Sequence, residues 1–485
     1  MNLLHVLSTC SALLLAGCAT TVQRAPAPAA APTTVQVWLS TADASKRLSH
    51  EADAVFDATA KVGTTIDVNA MQRYQDMVGF GAAITDSSAW LIEQRMSAAQ
   101  REALLKDLFG REGEGIGLSF TRLTIGGSDF SRQHYSFDDM PPGQRDPELA
   151  HFSIAPNRDD VLPVVRAALA INPQLRVMAS PWSAPGWMKT TGELVGGTLR
   201  ADAYAPFAEY LVRYLEAYRA EAVPIYALTV QNEPGFAPKD YPGMKLGAAA
   251  RAKLIGGYLG PLLAQRAPET KILDWDHNWD KPEEPMAVLA DPAARRYVAG
   301  VAWHCYAGNV HAQSPVHDAH PDKETYLTEC SGGEWKPMQH DGLLTIVRRL
   351  IIGSTRGWAK GVLLWNLALD ENYGPHAGGC TDCRGLVTID SKTGEYTRTV
   401  DYIALGHASR FVRPGAQRVA STAGGDDIDN VVFRNVDDGS LVMIAANSSA
   451  AARRVVARDA QGSFVYEMPA RSVATFVWRD LASSM

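Results

Sequence analysis

The sequence has no surplus of positive charge. Forty-six Lys and Arg stand against 53 Asp and Glu, a formal charge of -7 over 485 residues. With no basic patch or tail, nucleic acid is a poor partner. An apolar run long enough to cross a bilayer is also missing. The most hydrophobic stretch, LLHVLSTCSALLLAGCAT at residues 3–20, is too short to span a membrane as a stable helix. No apolar run leads into a Gly-rich phosphate loop, which counts against a nucleotide-binding doubly wound sheet. Cysteine is scarce, with six in all. Cys10 and Cys18 fall in the N-terminal apolar segment, leaving Cys305, Cys330, Cys380 and Cys383. Cys380-Thr-Asp-Cys383 has neither a second CxxC nor clustered His beside it, which argues against zinc. What is present is ordinary for a soluble globular protein, with 20% charged and 46% hydrophobic residues. Eleven Trp and sixteen Tyr suit stacking on sugar rings as well as core packing.

The N-terminus reads as an export segment. It closes on small residues, as a secretory signal does, although no Lys or Arg precedes its apolar part. Leu15-Ala16-Gly17-Cys18 resembles a bacterial lipoprotein box, which would make Cys18 the lipidated first residue of the mature chain. Ala19 resembles the outer-membrane sorting pattern; a plain signal peptide cut nearby is the alternative. Residues 1–18 are therefore expected to be a lipoprotein-type signal peptide, and 19–35 a disordered Pro/Ala-rich tether. The expected location is the cell envelope, with a lipid anchor in the bacterial outer membrane, where disulfides persist. Cys380 and Cys383 become candidates for a short local disulfide, and Cys305 and Cys330 read as thiols buried behind strands.

Between residues 76 and 370 a short apolar run, a polar end and a helix-like stretch recur. The candidate strands are 77–85, 118–126, 175–182, 225–233, 271–278, 299–306, 325–332 and 361–369. Ser97-Ala-Ala-Gln100 is a capping-box pattern opening a helix that Gly110 stops. Eight alternating units predict an α/β fold closed as a (β/α)8 TIM barrel over residues 75–408. The flanks differ, because residues 36–74 and 409–485 alternate like antiparallel strands. A side β-sandwich built from both chain ends is expected, covering the barrel or serving as a carbohydrate-binding module.

Barrel chemistry gathers at the C-terminal ends of the strands. Those ends carry Asp86, Arg122 with Ser128-Asp129, Trp182, Asn232-Glu233, Asp276-His277-Asn278, His304 with Tyr306, Glu329, and Trp365-Asn366. Such a rim suits a polyhydroxylated ligand, with indoles for C–H faces and paired polar groups for hydroxyls. Glu233 and Glu329 end the fourth and seventh strands and would approach across the mouth as the two carboxylates of a glycosidase. A simple pairing of each Glu with a barrel Arg such as Arg122 is the structural alternative. Asp276, His277, His304 and Glu329 also permit a metal-dependent hydrolase, which chelator insensitivity would remove.

QNEPGF, YLTECSGG, GFGAAITDSSAW, ASPWSAPGWMK, WHCY and LLWNLALDENYGP, in that combination, resemble glycoside hydrolase family 30, the acid β-glucosidase (glucosylceramidase) group. The resemblance runs from about residue 75 through YIALGHASRFVRPGAQRV into the C-terminal strands. It implies a barrel with a side β-domain, retention of configuration and no cofactor. By it Glu233 matches the acid/base and Glu329 the nucleophile. Asp86, Trp182 and Trp365 match glycone-holding positions, and His304 and Tyr306 match neighbours of the nucleophile. Asn232 is placed to bind the sugar 2-hydroxyl, with Arg122 and His277 in support. The reading it favours first is a glucosylceramidase-type β-glucosidase. A β-1,6-glucanase, β-xylosidase or β-fucosidase of the same family comes second, and a non-catalytic sugar-binding lipoprotein lies outside it. The substrate is thus a carbohydrate or glycolipid. Residues 370–376 depart from the human-type pattern and GGCTDCRG forms an insertion-like loop beside the site, so the aglycone side stays open, as does the oligomeric state.

Overall fold

The computed structural model describes residues 34–57, 62–336, 342–425 and 427–479. The export segment, Cys18 and the tether up to residue 33 lie outside the described residues. Thr34 and Val35 correct the tether's end. They begin a strand, Thr34–Thr41, in which Val35 is fully buried and pairs with Ala54.

Eight parallel strands close a barrel. They are β1 Gly79–Ala83, β2 Phe120–Ile125, β3 Arg176–Pro181 and β4 Ala227–Thr229, then β5 Lys271–Asn278, β6 Val298–His304, β7 Glu324–Glu329 and β8 Ala359–Asn366. Each pairs with the next, and β8 returns to β1 through Gly361 opposite Gly79. β2 is buried at every position, as a strand covered on both faces must be. Between strands the helices follow the sequence signals. Ala98–Phe109 opens on the reciprocal Ser97–Gln100 capping box and ends at Gly110.

The barrel interior is layered by the two-residue period of its strands. Val78, Phe120, Met178, Ala227, Leu273, Ala302, Tyr326 and Leu363 form one apolar cluster with a residue at each strand. Two residues further along, inward positions become Arg122, Ser180, Thr229, His304, Thr328 and Trp365. The floor is therefore greasy and the next layer polar. β5 breaks the period, since Ala302 faces Trp275 but Trp303 faces His277, so Asp276 is an extra residue. That bulge turns Asp276 inward with the polar layer. A second shift, skipping Thr328 between Trp303 and His304, does the same beside Glu329.

The side domain joins both chain ends. Its sheet order is Ser49–His50, Thr34–Thr41, Ser472–Arg479, Ser440–Asn447, Ile428–Arg434, Gln417–Ser421, Thr64–Asp76, Arg453–Asp459, Gly462–Met468. Thr64–Asp76 serves two neighbours. Its start runs parallel to Arg453–Asp459, and the rest runs antiparallel to Gln417–Ser421. Val37, Ile66, Val432, Met443, Phe464 and Trp478 fill the space between. The last barrel helix, Val400–Ser409, ties the domains. Its buried His407 meets Thr475 Oγ1 at 2.9 Å and Ser40 Oγ at 2.8 Å, one strand from each end of the chain. Burial holds that imidazole neutral, pushing its pKa down to about 3.

Candidate active site

Arg122 organises the polar layer. Its side chain is fully buried and contacts both Glu329 Oε2 and Asp276 Oδ2, the latter at 2.7 Å. It also donates to Asn232 Oδ1 at 2.8 Å and Ser180 Oγ at 3.2 Å. Its guanidinium lies 4.7 Å from the Trp182 ring and 5.6 Å from that of Trp365. Asp276 accepts from Ser180, Thr229 and Thr328 hydroxyls at 2.7–2.8 Å and sits 3.0 Å from His304 Nε2. Burial pushes the Asp276 carboxyl up, but the Arg122 charge, His304 and the Thr229 hydroxyl override it and hold it far below the usual range. Asp276 is a fixed anion that orients the His304 ring and favours its protonated form.

Glu233 and Glu329 meet above this layer. Glu329 Oε1 accepts from the Tyr306 hydroxyl at 2.8 Å. Glu233 Oε1 lies 3.1 Å from His304 Nδ1 and 3.8 Å from His277 Nε2. Glu233 and Asp276 both sit at positive φ, 45° and 50°, where a non-glycine residue stores about 1–3 kcal/mol. The Glu233 N–H donates to the Asp276 carbonyl at 3.0 Å, which holds the two strained positions together. Burial lowers the His304 pKa, but Glu329, Asp276 and Glu233 reverse this and raise it to about 9. Glu233 is pushed up by burial and pulled lower overall by the His304 hydrogen bond and charge. One proton is therefore shared across the His304–Glu233 contact, and it titrates as a property of the pair. Glu329 ends up raised, with burial outweighing His304 and Arg122 and Glu233 adding to it.

One wall is aromatic. Trp182 and Trp365 stack with centroids 5.0 Å apart and planes at 19°. Phe130, Ala83, Leu369 and Cys383 complete the cluster, with Tyr241 and Cys380 against it. Asp129 is the residue that sequence reasoning passed over. It was visible only as part of a rim, yet it is half-buried, its buried Oδ1 has no partner among the described residues, and its pKa is raised to about 8 by burial, then by Glu329 and Glu233. A neutral carboxyl there is a hydroxyl donor as well as an acceptor. Asp86 stands beside the mouth, where both its oxygens accept from Arg132, at 2.9 and 3.1 Å, and Arg132 reaches on to Asp160.

The cysteines divide. Cys380 and Cys383 are joined, as the export reading expected. Their loop presses on the site, because a Cβ on Gly379 would fall 2.7 Å from the Asp129 Cβ. Cys305 and Cys330 are not free thiols but a second disulfide, Cα atoms 5.3 Å apart. Each follows directly on the end of a neighbouring strand, so parallel pairing of β6 and β7 brings them together. The bond closes a loop with a sequence separation of 25 and joins the residues next to His304 and Glu329. The Cys305→Ser/Cys330→Ser protein is expected to lose about 3 kcal/mol of stability in guanidinium unfolding, from loop-closure entropy. No change would show that the bond does not form.

Glu233, His304 and Glu329 offer three ligand atoms within 4.8 Å of one another. An ion there would compete with the Arg122 guanidinium on Glu329 and with the proton on His304.

Two facing carboxylates, an arginine on one and an imidazole on the other, beside an indole wall at a barrel mouth, define a glycoside hydrolase. The glycosyl hydrolase family 30 TIM-barrel domain matches residues 77–412 and the family 30 β-sandwich domain residues 415–476. The chain belongs to glycoside hydrolase family 30. An endo-1,6-β-D-glucanase of Neurospora crassa is 35% identical over 450 residues, covering 88% of this chain and 92% of that one. The lysosomal acid glucosylceramidase of Mus musculus is 29% identical over 464 residues, covering 90% and 87%. Among solved structures, an endo-β1,6-glucanase superposes with a TM-score of 0.85 at 32% identity, over 92% of this chain and 99% of that one.

Proposed function

We propose that the chain is a retaining β-glycosidase acting on β-1,6-linked glucan, with Glu329 as nucleophile and Glu233 as acid/base. The observation that carries the reading is the approach of the two carboxylates, whose oxygens lie within 4.8 Å of one another. Retaining enzymes keep the carboxyl groups about 5–5.5 Å apart, whereas inverting enzymes leave about 6.5–9.5 Å for a water. Glu329 attacks the anomeric carbon while the Glu233–His304 pair passes its proton to the leaving oxygen. Ester formation removes the Glu329 charge. A negative neighbour is lost, so the pair's proton affinity falls at the step where Glu233 must take a proton from water. Asn232 accepts from Arg122 through Oδ1, which leaves its NH2 as the donor to the sugar 2-hydroxyl. Asp129 and the stacked indoles hold the rest of the glycone.

The two essential groups predict a bell-shaped kcat/KM. The Glu233–His304 pair loses its proton as pH rises through about 9. Glu329 becomes protonated, and inactive, as pH falls through a value above the ordinary 4.5. An acidic limb below 4.5 in initial-rate measurements would contradict the assignment of that limb to Glu329.

The motifs placed a glucosylceramidase-type β-glucosidase first and β-1,6-glucanase second. The relatives reverse that order, since the higher identity lies with the endo-1,6-β-glucanase. The test compares β-1,6-glucan, aryl β-glucosides and glucosylceramide, with product anomers followed by NMR. Internal cleavage of the glucan with β-anomers released first is expected. Faster hydrolysis of glucosylceramide would restore the earlier order, and α-anomers would overturn retention.

A further inference from the structure

A cavity of about 600 Å³ opens between the helical segment 342–356 and the β-domain, away from the catalytic pair. Among the described residues, Lys336, Arg348, Arg349, Arg356 and Arg471 line it, against one carboxylate, Asp429. This is a concentration of cations in a chain whose net charge is -7. Arg348 takes the carboxylate, through its contact with Asp429. Among the described residues, Arg349 and Arg356 form no ion pair of their own, and Arg356 feels the charge of the Asp429 already held by Arg348. Arg349 donates to the Cys305 and Gly308 carbonyls at 2.8 and 3.3 Å, and Arg356 to neutral oxygens of Ser421, Thr422 and Asn430. Lys336 Nζ donates to the Thr345 hydroxyl at 3.2 Å. Partly buried guanidinium groups short of counter-charge are costly to keep, and an arriving oxyanion would satisfy them in their fork geometry.

The cleft is not isolated. A second cavity, of about 210 Å³, shares Lys336, Thr345 and Arg349 with it and extends to Tyr306 and the half-exposed Trp335. The Tyr306 hydroxyl is the one bonded to Glu329. The two cavities thus share a wall, and the second reaches the tyrosine beside the nucleophile and carries an indole fit to stack on a sugar ring.

We propose that this cleft binds an anionic substituent, a carboxylate, sulfate or phosphate, borne by a saccharide whose other part occupies the catalytic mouth. The proposal rests on the glycosidase reading and adds an acidic or acid-substituted glycan to its ligands. Concavity and the shared wall with a cavity that reaches Tyr306 favour a saccharide over a membrane surface, which would need an exposed, unhollowed patch.

The test is isothermal titration of Glu329→Gln protein, which removes turnover, with a β-1,6-gluco-oligosaccharide, its sulfated form, and inorganic sulfate alone. The sulfated ligand is expected to bind roughly 10-fold tighter than the neutral one, a preference that falls as salt rises. Arg349→Gln should reduce the preference to about threefold, the cost of one charge-assisted contact among several. Ser314→Glu places an anion on the cleft wall without removing any contact described above, and should reduce it likewise. Equal affinity for both oligosaccharides, or a preference that survives both substitutions, overturns the proposal. Inorganic sulfate binding as tightly as the sulfated sugar, or vesicles of anionic phospholipid retaining the wild type but not Ser314→Glu, would also overturn it by assigning the charge elsewhere. Failure to bind even the neutral oligosaccharide would count against the glycosidase reading and not against the cleft alone.

Discussion

Glu329→Gln is expected to lower kcat on every β-glucoside by a factor on the order of 10⁵–10⁶, the scale of losing a covalent nucleophile. Glutamine keeps the size of the side chain and an acceptor for Tyr306, so the change is chemical. The fold should survive it, because Arg122 still has Asp276 at 2.7 Å and Asn232 at 2.8 Å. Leaving one member of a buried ion-pair network unpaired costs about 3–5 kcal/mol, and here the network loses one of two carboxylates, so the loss should lie below that range. Activity measured beside a thermal melt separates the two effects. A near-native melt with activity gone supports a nucleophile. Retained activity would reduce Glu329 to a structural partner of Arg122.

Glu233→Ala should behave differently with different leaving groups, because it removes proton transfer but not attack. On gluco-oligosaccharides the poor leaving group needs the proton, and kcat should fall by about 10²–10⁴. On a dinitrophenyl β-glucoside the first step survives and the second stalls, for want of a base to activate water. A burst of one equivalent of phenol is expected, then slow turnover. Azide needs no base and should restore the rate, releasing a β-glycosyl azide. The substitution also strips His304 of its 3.1 Å partner, leaving Asp276 at 3.0 Å. The basic limb of kcat/KM near pH 9 should therefore disappear with the dinitrophenyl substrate. No burst, or an α-azide, would remove Glu233 from the acid/base role.

Much of this architecture was legible in the sequence because barrel strands announce themselves twice. Each is a continuous apolar run, buried on both faces, and each ends on a polar residue that has no place in a core. Glu233, Glu329, His304, Arg122 and the two indoles were found that way. Asp129 was not singled out, because it lies in the loop beyond Ile125 and is covered by Gly379, which arrives from a loop 250 residues on. The partner of Asp86 was hidden in the same way, since Arg132 meets its carboxylate from 46 residues on. The bulge that turns Asp276 inward has no sequence mark, since it depends on register against β6. Cys305–Cys330 was missed because two thiols separated by 25 residues become neighbours only when β6 and β7 pair. In each case the missing information was a contact between distant segments.

The account rests on a glycosyl ester at one carboxylate. Incubation with an activated 2-deoxy-2-fluoro-β-glucoside, which slows both steps but hydrolysis of the ester more, followed by peptide mass spectrometry, reads this directly. One fluoroglucosyl adduct per chain is expected, on the peptide containing Glu329 and absent from Glu329→Gln. An adduct on Glu233, Asp129 or Asp276, or fully active enzyme carrying no adduct at all, would contradict it.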